Sequence, residues 1–159
     1  MRYEPTLTDA EAEAAIAAVR DQLRADGKAA VVAVSDAQGE LIALLRLDGA
    51  KRAPIQVAIN KAFTAARERC PTSQIGRTVR DPERGFDISY YGDPRYVGWG
   101  GGIPVVHEGQ VLGAVGVSGL SEEEDTRLAT IGVTAIDELL RRDARPRAAR
   151  ANSHTASSG

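Results

Sequence analysis

The sequence predicts a single α+β domain in which helices flank an antiparallel β-sheet of about five strands. Hydrophobic periodicity gives the order helix, hairpin, helix, irregular segment, hairpin, helix along the chain. Strands joined by short turns pair antiparallel, and helices outside such hairpins pack on the sheet that they form. The chain has 159 residues, of which 43% are apolar, and this is enough for one core. We expect the domain to span residues 1–140.

The first helix is predicted from its N-terminal cap and its apolar face. Thr8 can cap the amide of Glu11, whose side chain can reach back to Thr8. Gly27 follows at the point where a helix would end. Between these ends the residues at helical spacing are apolar: Ala12, Ile16, Val19 and Leu23.

Two hairpins supply the strands of the sheet. Turn-forming residues 36–39 separate the first pair of apolar runs, and Glu108-Gly109 separates the second pair. The predicted strands are residues 29–35, 41–47, 103–106 and 111–117.

The second helix carries the strongest candidate for a functional side chain. It starts near Pro54, and its buried face is formed by Ile55, Ile59, Ala62, Phe63 and Ala66. Val57, Lys61 and Thr64 follow one another at positions i, i+4 and i+7 on another face. Only three of the 20 basic residues are lysines, so Lys61 attracts attention as an anion-binding cation, a carbonyl-activating amine or a base. The alternative is a solvated or interfacial lysine that pairs with a glutamate.

The last helix begins at Ser121 and opens with four acidic residues, 122–125. These carboxylates satisfy the positive end of the helix and would repel phosphate, so the preceding glycines do not predict a nucleotide site. A capping box between Ser121 and Glu124 explains part of the cluster. Glu124 or Asp125 could instead face a pocket as an acceptor or a base.

The segment between the second helix and the second hairpin, residues 71–102, predicts no regular element. It holds most of the aromatic residues of the chain, and such a segment is often functional. We expect Tyr90, Tyr91 and Trp99 to form walls of a pocket. The amides of Gly100, Gly101 and Gly102 could hold a carboxylate or enolate oxygen, although close packing of strands explains the three glycines equally well.

Composition excludes several classes of function. The body of the domain is mildly acidic, which argues against nucleic-acid binding, and no apolar run is long enough to span a bilayer. A cytoplasmic location is the simplest expectation. One cysteine excludes an internal disulfide, and the two histidines have no metal-spaced companion. Residues 141–159, rich in Arg, Ala and Ser, predict a disordered tail.

Several motifs occur in an order that resembles a known family. They are residues 33–36 (AVSD), 47–50 (LDGA), 60–65 (NKAFTA), 100–106 (GGGIPVV) and 113–119 (GAVGVSG), followed by Glu124-Asp125. Together they resemble the GlcG/HbpS family of haem-binding-annotated proteins and the C-terminal domain of PduO-type corrinoid adenosyltransferases. The resemblance implies a compact sheet flanked by helices, with profilin-like or GAF-like layering, and a homo-oligomer. It also implies a ligand near the Lys61 helix and the glycines, with haem as one candidate.

Three functional hypotheses follow from these residues. The first is a homo-oligomeric domain that binds haem or a small organic anion, with Lys61, Thr64 and residues 100–102 at the site. The second is a cofactor-independent isomerase, lyase or cyclase, in which Lys61 works with Asp125 or Glu124 and the glycine amides hold an oxyanion. The third is an accessory assembly factor whose aromatic loop binds another protein.

Overall fold

The architecture is a four-stranded antiparallel sheet with helices on both faces. A computed structural model describes residues 1–144 of the chain. Its elements are α1 (Asp9–Asp26), β1 (Val31–Asp36), β2 (Leu41–Arg46), α2 (Ala53–Glu68), α3 (Thr72–Val79), a 3-10 turn (Ile88–Tyr91), β3 (Gly102–His107), β4 (Gln110–Ser118) and α4 (Glu122–Asp143). The strand order is β2-β1-β4-β3. The predicted α+β class is confirmed, with four strands where about five were expected.

The larger part of the core lies between the sheet and the pair α1 and α4. Apolar side chains from alternate positions of the strands meet the apolar faces of both helices there. Both helices begin with capping boxes, Thr8 with Glu11 and Ser121 with Glu124. The helix α4 continues to Asp143, so Arg141 and Arg142 are helical. The rest of the expected tail, residues 145–159, lies outside the described residues.

The opposite face of the sheet is covered by α2, which approaches β4 very closely. A side chain at Gly116 of β4 would place its Cβ 2.3 Å from the carbonyl oxygen of Ala58 and 2.7 Å from the amide nitrogen of Ala62. Small residues at this contact let the backbones of helix and strand meet. This close contact places the middle of α2 beside the end of β4.

The segment 71–102 differs from the prediction because it contains α3. This helix follows Pro71, and its buried residues are Thr72, Ile75 and Gly76. Eight residues are too short for a convincing helical period, and a glycine in the middle weakens the signal further. A Cβ on Gly76 would lie 2.0 Å from the carbonyl oxygen of Gly98, so α3 packs directly against the chain that leads into β3.

Within residues 1–144, no helix combines the length and the apolar character that crossing a membrane requires.

Candidate functional site

A buried lysine–aspartate pair connects three elements of the fold. The Nζ atom of Lys61, on α2, donates hydrogen bonds to Oδ2 of Asp125 on α4 and to the carbonyl oxygen of Val117 on β4, each at 2.9 Å. Both side chains are almost fully buried, with 2% of Lys61 and 3% of Asp125 exposed. The other carboxylate oxygen of Asp125 accepts the amide of Leu120 at 3.1 Å. Lys61 is therefore not the solvated lysine of the alternative interpretation.

Lys61 and Asp125 are two opposite charges that burial removes from water. Burial raises the pKa of Asp125 above its usual value, while the Lys61 ammonium and the Leu120 amide offset part of that rise. A buried carboxylate needs a cation and hydrogen bonds to stay charged. Lys61 and Asp125 therefore depend on each other, and either one alone would be an unpaired buried charge.

An open cavity of about 380 Å³ lies against this pair, between the first half of α2 and the start of α4. We call it the Lys61 cavity. Its apolar walls are Ala53, Pro54, Val57, Leu120 and Trp99. Its polar groups belong to Lys61, Ser118, Glu122 and Asp125. A mostly apolar concavity with a few convergent polar groups is the usual form of a small-molecule site.

Ser118 also lines the cavity, although no sequence motif singled it out. It ends β4, lines the cavity and is 6% exposed. Among the described residues, no hydrogen bond involves its hydroxyl group. The available signal was a polar residue that closes the apolar strand, just before Gly119. A hydroxyl group in this position can donate a hydrogen bond to a ligand without breaking a hydrogen bond within the protein.

The three glycines do not form the expected set of oxyanion donors. The amide of Gly100 donates to Oε1 of Glu122 at 2.7 Å, and the amide of Gly102 donates to the Thr72 hydroxyl at 2.9 Å. These two amides are already used within the protein. Gly101 has a different role, since a Cβ there would lie 2.9 Å from Nζ of Lys61. The alternative of close packing therefore describes this segment better.

Glu124, unlike Asp125, does not contact Lys61. Its carboxylate accepts hydrogen bonds from Lys28 and from the amide and hydroxyl groups of Ser121, and these contacts lower its pKa. Successive residues of a helix point in directions about 100° apart, so only one of the two adjacent acids can face Lys61. Of the two predicted partners for Lys61, the structure brings Asp125 to it and places Glu124 outside the cavity.

Of the predicted walls, only Trp99 lines the cavity. Tyr90 is 80% exposed, and Tyr91 stacks on Tyr96 with ring centroids 4.6 Å apart. Thr64 is buried, but its hydroxyl donates to the carbonyl oxygen of Arg95 and accepts the amide of Val97. Thr64 therefore holds the loop that precedes Trp99 against α2, and neither it nor the two tyrosines lines the cavity.

The pKa of Tyr96, a residue of this loop, depends on the contact between the loop and α2. Its hydroxyl donates to Oε1 of Glu68 at 2.9 Å, and burial together with this carboxylate raises its pKa to about 12. We expect Glu68→Gln to lower the pKa of Tyr96, because the phenolate would no longer face a negative charge. An NMR titration that follows the ring carbon bearing the hydroxyl group measures the pKa of Tyr96. The exposed Glu83→Gln is the control, and an unchanged Tyr96 pKa in Glu68→Gln would contradict the contact.

Metal ligands do not cluster at this site. Throughout the part of the chain that the structure describes, no group of three or more His, Cys, Asp or Glu residues is arranged to hold a metal ion.

Comparison with known proteins identifies the family. The family described as "Haem degrading protein HbpS-like" matches residues 7–134. Protein GlcG of Escherichia coli (strain K12) is 33% identical over 118 residues, which are 74% of this chain and 85% of GlcG. The crystal structure of Klebsiella pneumoniae protein ORFY superposes with a TM-score of 0.81 at 30% identity, over 86% of this chain and 94% of ORFY.

A further crystal structure, that of a PduOC:heme complex, shares the fold. Its TM-score is 0.76 at 23% identity, over 82% of this chain and 94% of PduOC. The match to the family model, the identity with GlcG and these folds confirm the expected resemblance. The chain belongs to the HbpS-like family, which includes relatives of GlcG.

Proposed function

We propose that this protein binds a compact organic molecule in the Lys61 cavity. The observation that carries the proposal is a buried ammonium group at the cavity wall with donor capacity to spare. Lys61 has three N–H donors, and its contacts in the described residues use two of them. Ser118 adds a hydroxyl group without a partner in the same residues. Groups of this kind are unfavourable in a closed core and useful in a binding site.

The shape of the cavity supports a ligand with an apolar body. Five apolar residues surround the polar end, and Trp99 is 58% exposed at the rim. Covering this indole ring and the adjoining Pro54 and Leu120 would remove apolar surface from water. The polar groups would fix the orientation of the ligand, while the apolar walls would supply most of the affinity.

Haem is the ligand named in the family description and in the PduOC:heme complex. Protein ligands of haem iron are the imidazole of His, the thiolate of Cys, the thioether of Met or the phenolate of Tyr. Among the described residues that line the Lys61 cavity, none is of these types. The Lys61 amine is held by Asp125 and Val117. The residues of this cavity therefore do not fit haem held through its iron.

A proton-transfer enzyme is the second candidate, and the Lys61–Asp125 pair is the observation that favours it. A buried acid and base within 2.9 Å could exchange a proton with a bound substrate. Two of the three oxyanion donors that this hypothesis required, the amides of Gly100 and Gly102, are engaged within the protein, however. The geometry thus supports binding better than catalysis. Self-association stays a prediction from the family.

The single tryptophan of the chain, Trp99, gives a direct test of the binding proposal. The probes are cyclohexyl methyl ketone, cyclohexanecarboxylate and cyclohexylmethylammonium, which share one apolar ring and contain no aromatic group. We expect at least one of them to shift the Trp99 emission. Val57→Phe should weaken that binding by at least about tenfold, because the larger side chain fills the cavity.

The control for this variant is Val106→Phe, on the exposed side of β3, which should bind as the wild-type protein does. The proposal fails if none of the three probes changes the emission. It also fails if Val57→Phe and Val106→Phe bind the probes equally well.

A further inference from the structure

We infer that the ligand of the Lys61 cavity presents a neutral carbonyl oxygen to Lys61 and Ser118, not a carboxylate. This inference rests on the proposed function and names the chemical class of the ligand. It replaces the organic anion that the sequence analysis considered. It depends on the directions of the hydrogen-bond donors and on the charges that line the cavity.

The two free donors lie close together at the end of β4. Lys61 donates to the carbonyl group of Val117, which belongs to the peptide bond that joins Val117 to Ser118. Side chains alternate along a strand, so Ser118 points to the same face as Gly116, which contacts α2. Ser118 and Lys61 therefore line the same end of the cavity. A carbonyl oxygen has two lone pairs and can accept one hydrogen bond from each group.

The fixed charges argue against an anion. The positive charge of Lys61 is already matched by Asp125 at 2.9 Å. Glu122 adds a further carboxylate to the wall, and its hydrogen bond to the Gly100 amide holds it in place. A ligand carboxylate would lie against two carboxylates, those of Asp125 and Glu122, and one ammonium group, that of Lys61. Because Glu122 is exposed, solvent screens this repulsion to that of a surface charge pair, about fivefold in binding.

The hydrogen-bond donors argue against a cation at the polar end. A ligand ammonium group has no lone pair to accept a hydrogen bond from Lys61 or Ser118, and it would approach the ammonium of Lys61. Each oxygen of Asp125 already accepts one hydrogen bond, from Lys61 and from the Leu120 amide. A neutral carbonyl group, as in a ketone, aldehyde, ester or amide, accepts what the site donates and adds no charge.

The three cyclohexyl probes test this inference, since they differ mainly in the polar group. We expect the ketone to bind about tenfold more tightly than the carboxylate, and more tightly than the ammonium compound. Ser118→Ala should weaken ketone binding by about fivefold, the usual effect of one lost hydrogen bond. Ser73→Ala, which lies outside this cavity, is the matched control and should leave ketone binding unchanged.

Glu122→Gln tests the charge directly. Glutamine keeps an oxygen that can accept the Gly100 amide but removes the negative charge, so carboxylate binding should improve about fivefold. Glu123→Gln, the adjacent acid that does not line the Lys61 cavity, should leave it unchanged.

The outcomes separate the two proposals. Carboxylate or ammonium binding that is tighter than ketone binding overturns the ligand class and leaves the binding site standing. Ketone binding that Ser118→Ala does not weaken also overturns the inference. The absence of binding by all three probes overturns the proposed function and the ligand class with it.

Discussion

Replacing Lys61 with methionine is expected to lower the free energy of unfolding by about 3–5 kcal/mol at neutral pH, the usual cost of breaking a buried ion pair. Methionine keeps the apolar length of the side chain, so the loss comes mainly from the charge. The carboxylate of Asp125 would be left almost fully buried, with the Leu120 amide as its remaining partner. Urea denaturation followed by circular dichroism measures the change.

The pH dependence of Lys61→Met provides a second readout. Burial already raises the pKa of Asp125, and loss of the ammonium raises it further, above its value in the unfolded chain. The folded variant then holds a proton more tightly than the unfolded chain does. The destabilisation should therefore be small below the unfolded pKa, about 3.9, and grow as the pH rises through the folded pKa. The difference from wild type should be smaller at pH 4.5 than at pH 7.

The double variant Lys61→Met, Asp125→Asn separates charge from packing. Asparagine can still accept the Leu120 amide, and no buried charge remains. We expect it to recover most of the stability that Lys61→Met loses, and to lose the pH dependence. If the double variant is as unstable as Lys61→Met, the loss lies in packing, and the pair is not the reason for the burial of these residues.

The order of the main elements could be predicted because their signals are local. Periods of apolar residues and caps such as Thr8 with Glu11 lie within one helix or hairpin, where the sequence can be compared with a known geometry. The missed helix α3 shows the limit of this reasoning. Its eight residues owe their helical form to buried contacts, such as that of Gly76 with Gly98, which are distant in the sequence.

The site was predictable in part for a related reason. The second face of α2 singled out Lys61, and the acidic start of α4 supplied two candidate partners, Asp125 and Glu124. Choosing Asp125 over Glu124 required the rotation of α4 about its axis, and the two residues of the pair are 64 positions apart. Ser118 looked like an ordinary strand end. The sequence could not show that the amides of Gly100 and Gly102 are engaged, because their acceptors, Glu122 and Thr72, lie on other elements.

Gly101→Ala is expected to be the second strongly disruptive substitution, with a loss of roughly 3 kcal/mol in the free energy of unfolding. Gly101 has a φ of +123°, which an alanine adopts only with strain. Its added Cβ would also lie 2.6 Å from the carbonyl oxygen of Val117 and 2.9 Å from Nζ of Lys61. Neither neighbour can move away freely, since these two atoms are hydrogen-bonded to each other.

The control Gly92→Ala measures the cost of a positive φ where no close contact is present. Gly92 also has a positive φ, +79°, but nothing lies within 4 Å of the position of its Cβ. Its substitution should therefore show only the conformational cost, about 1 kcal/mol, and should leave probe binding at Trp99 unchanged. The excess loss in Gly101→Ala then combines the greater strain of its φ with the close contacts to Val117 and Lys61, and weaker binding of the ketone probe should accompany it because Lys61 is displaced. Equal losses in the two variants would mean that the backbone at Gly101 can shift without disturbing Lys61, and that the glycine is required for its conformation alone.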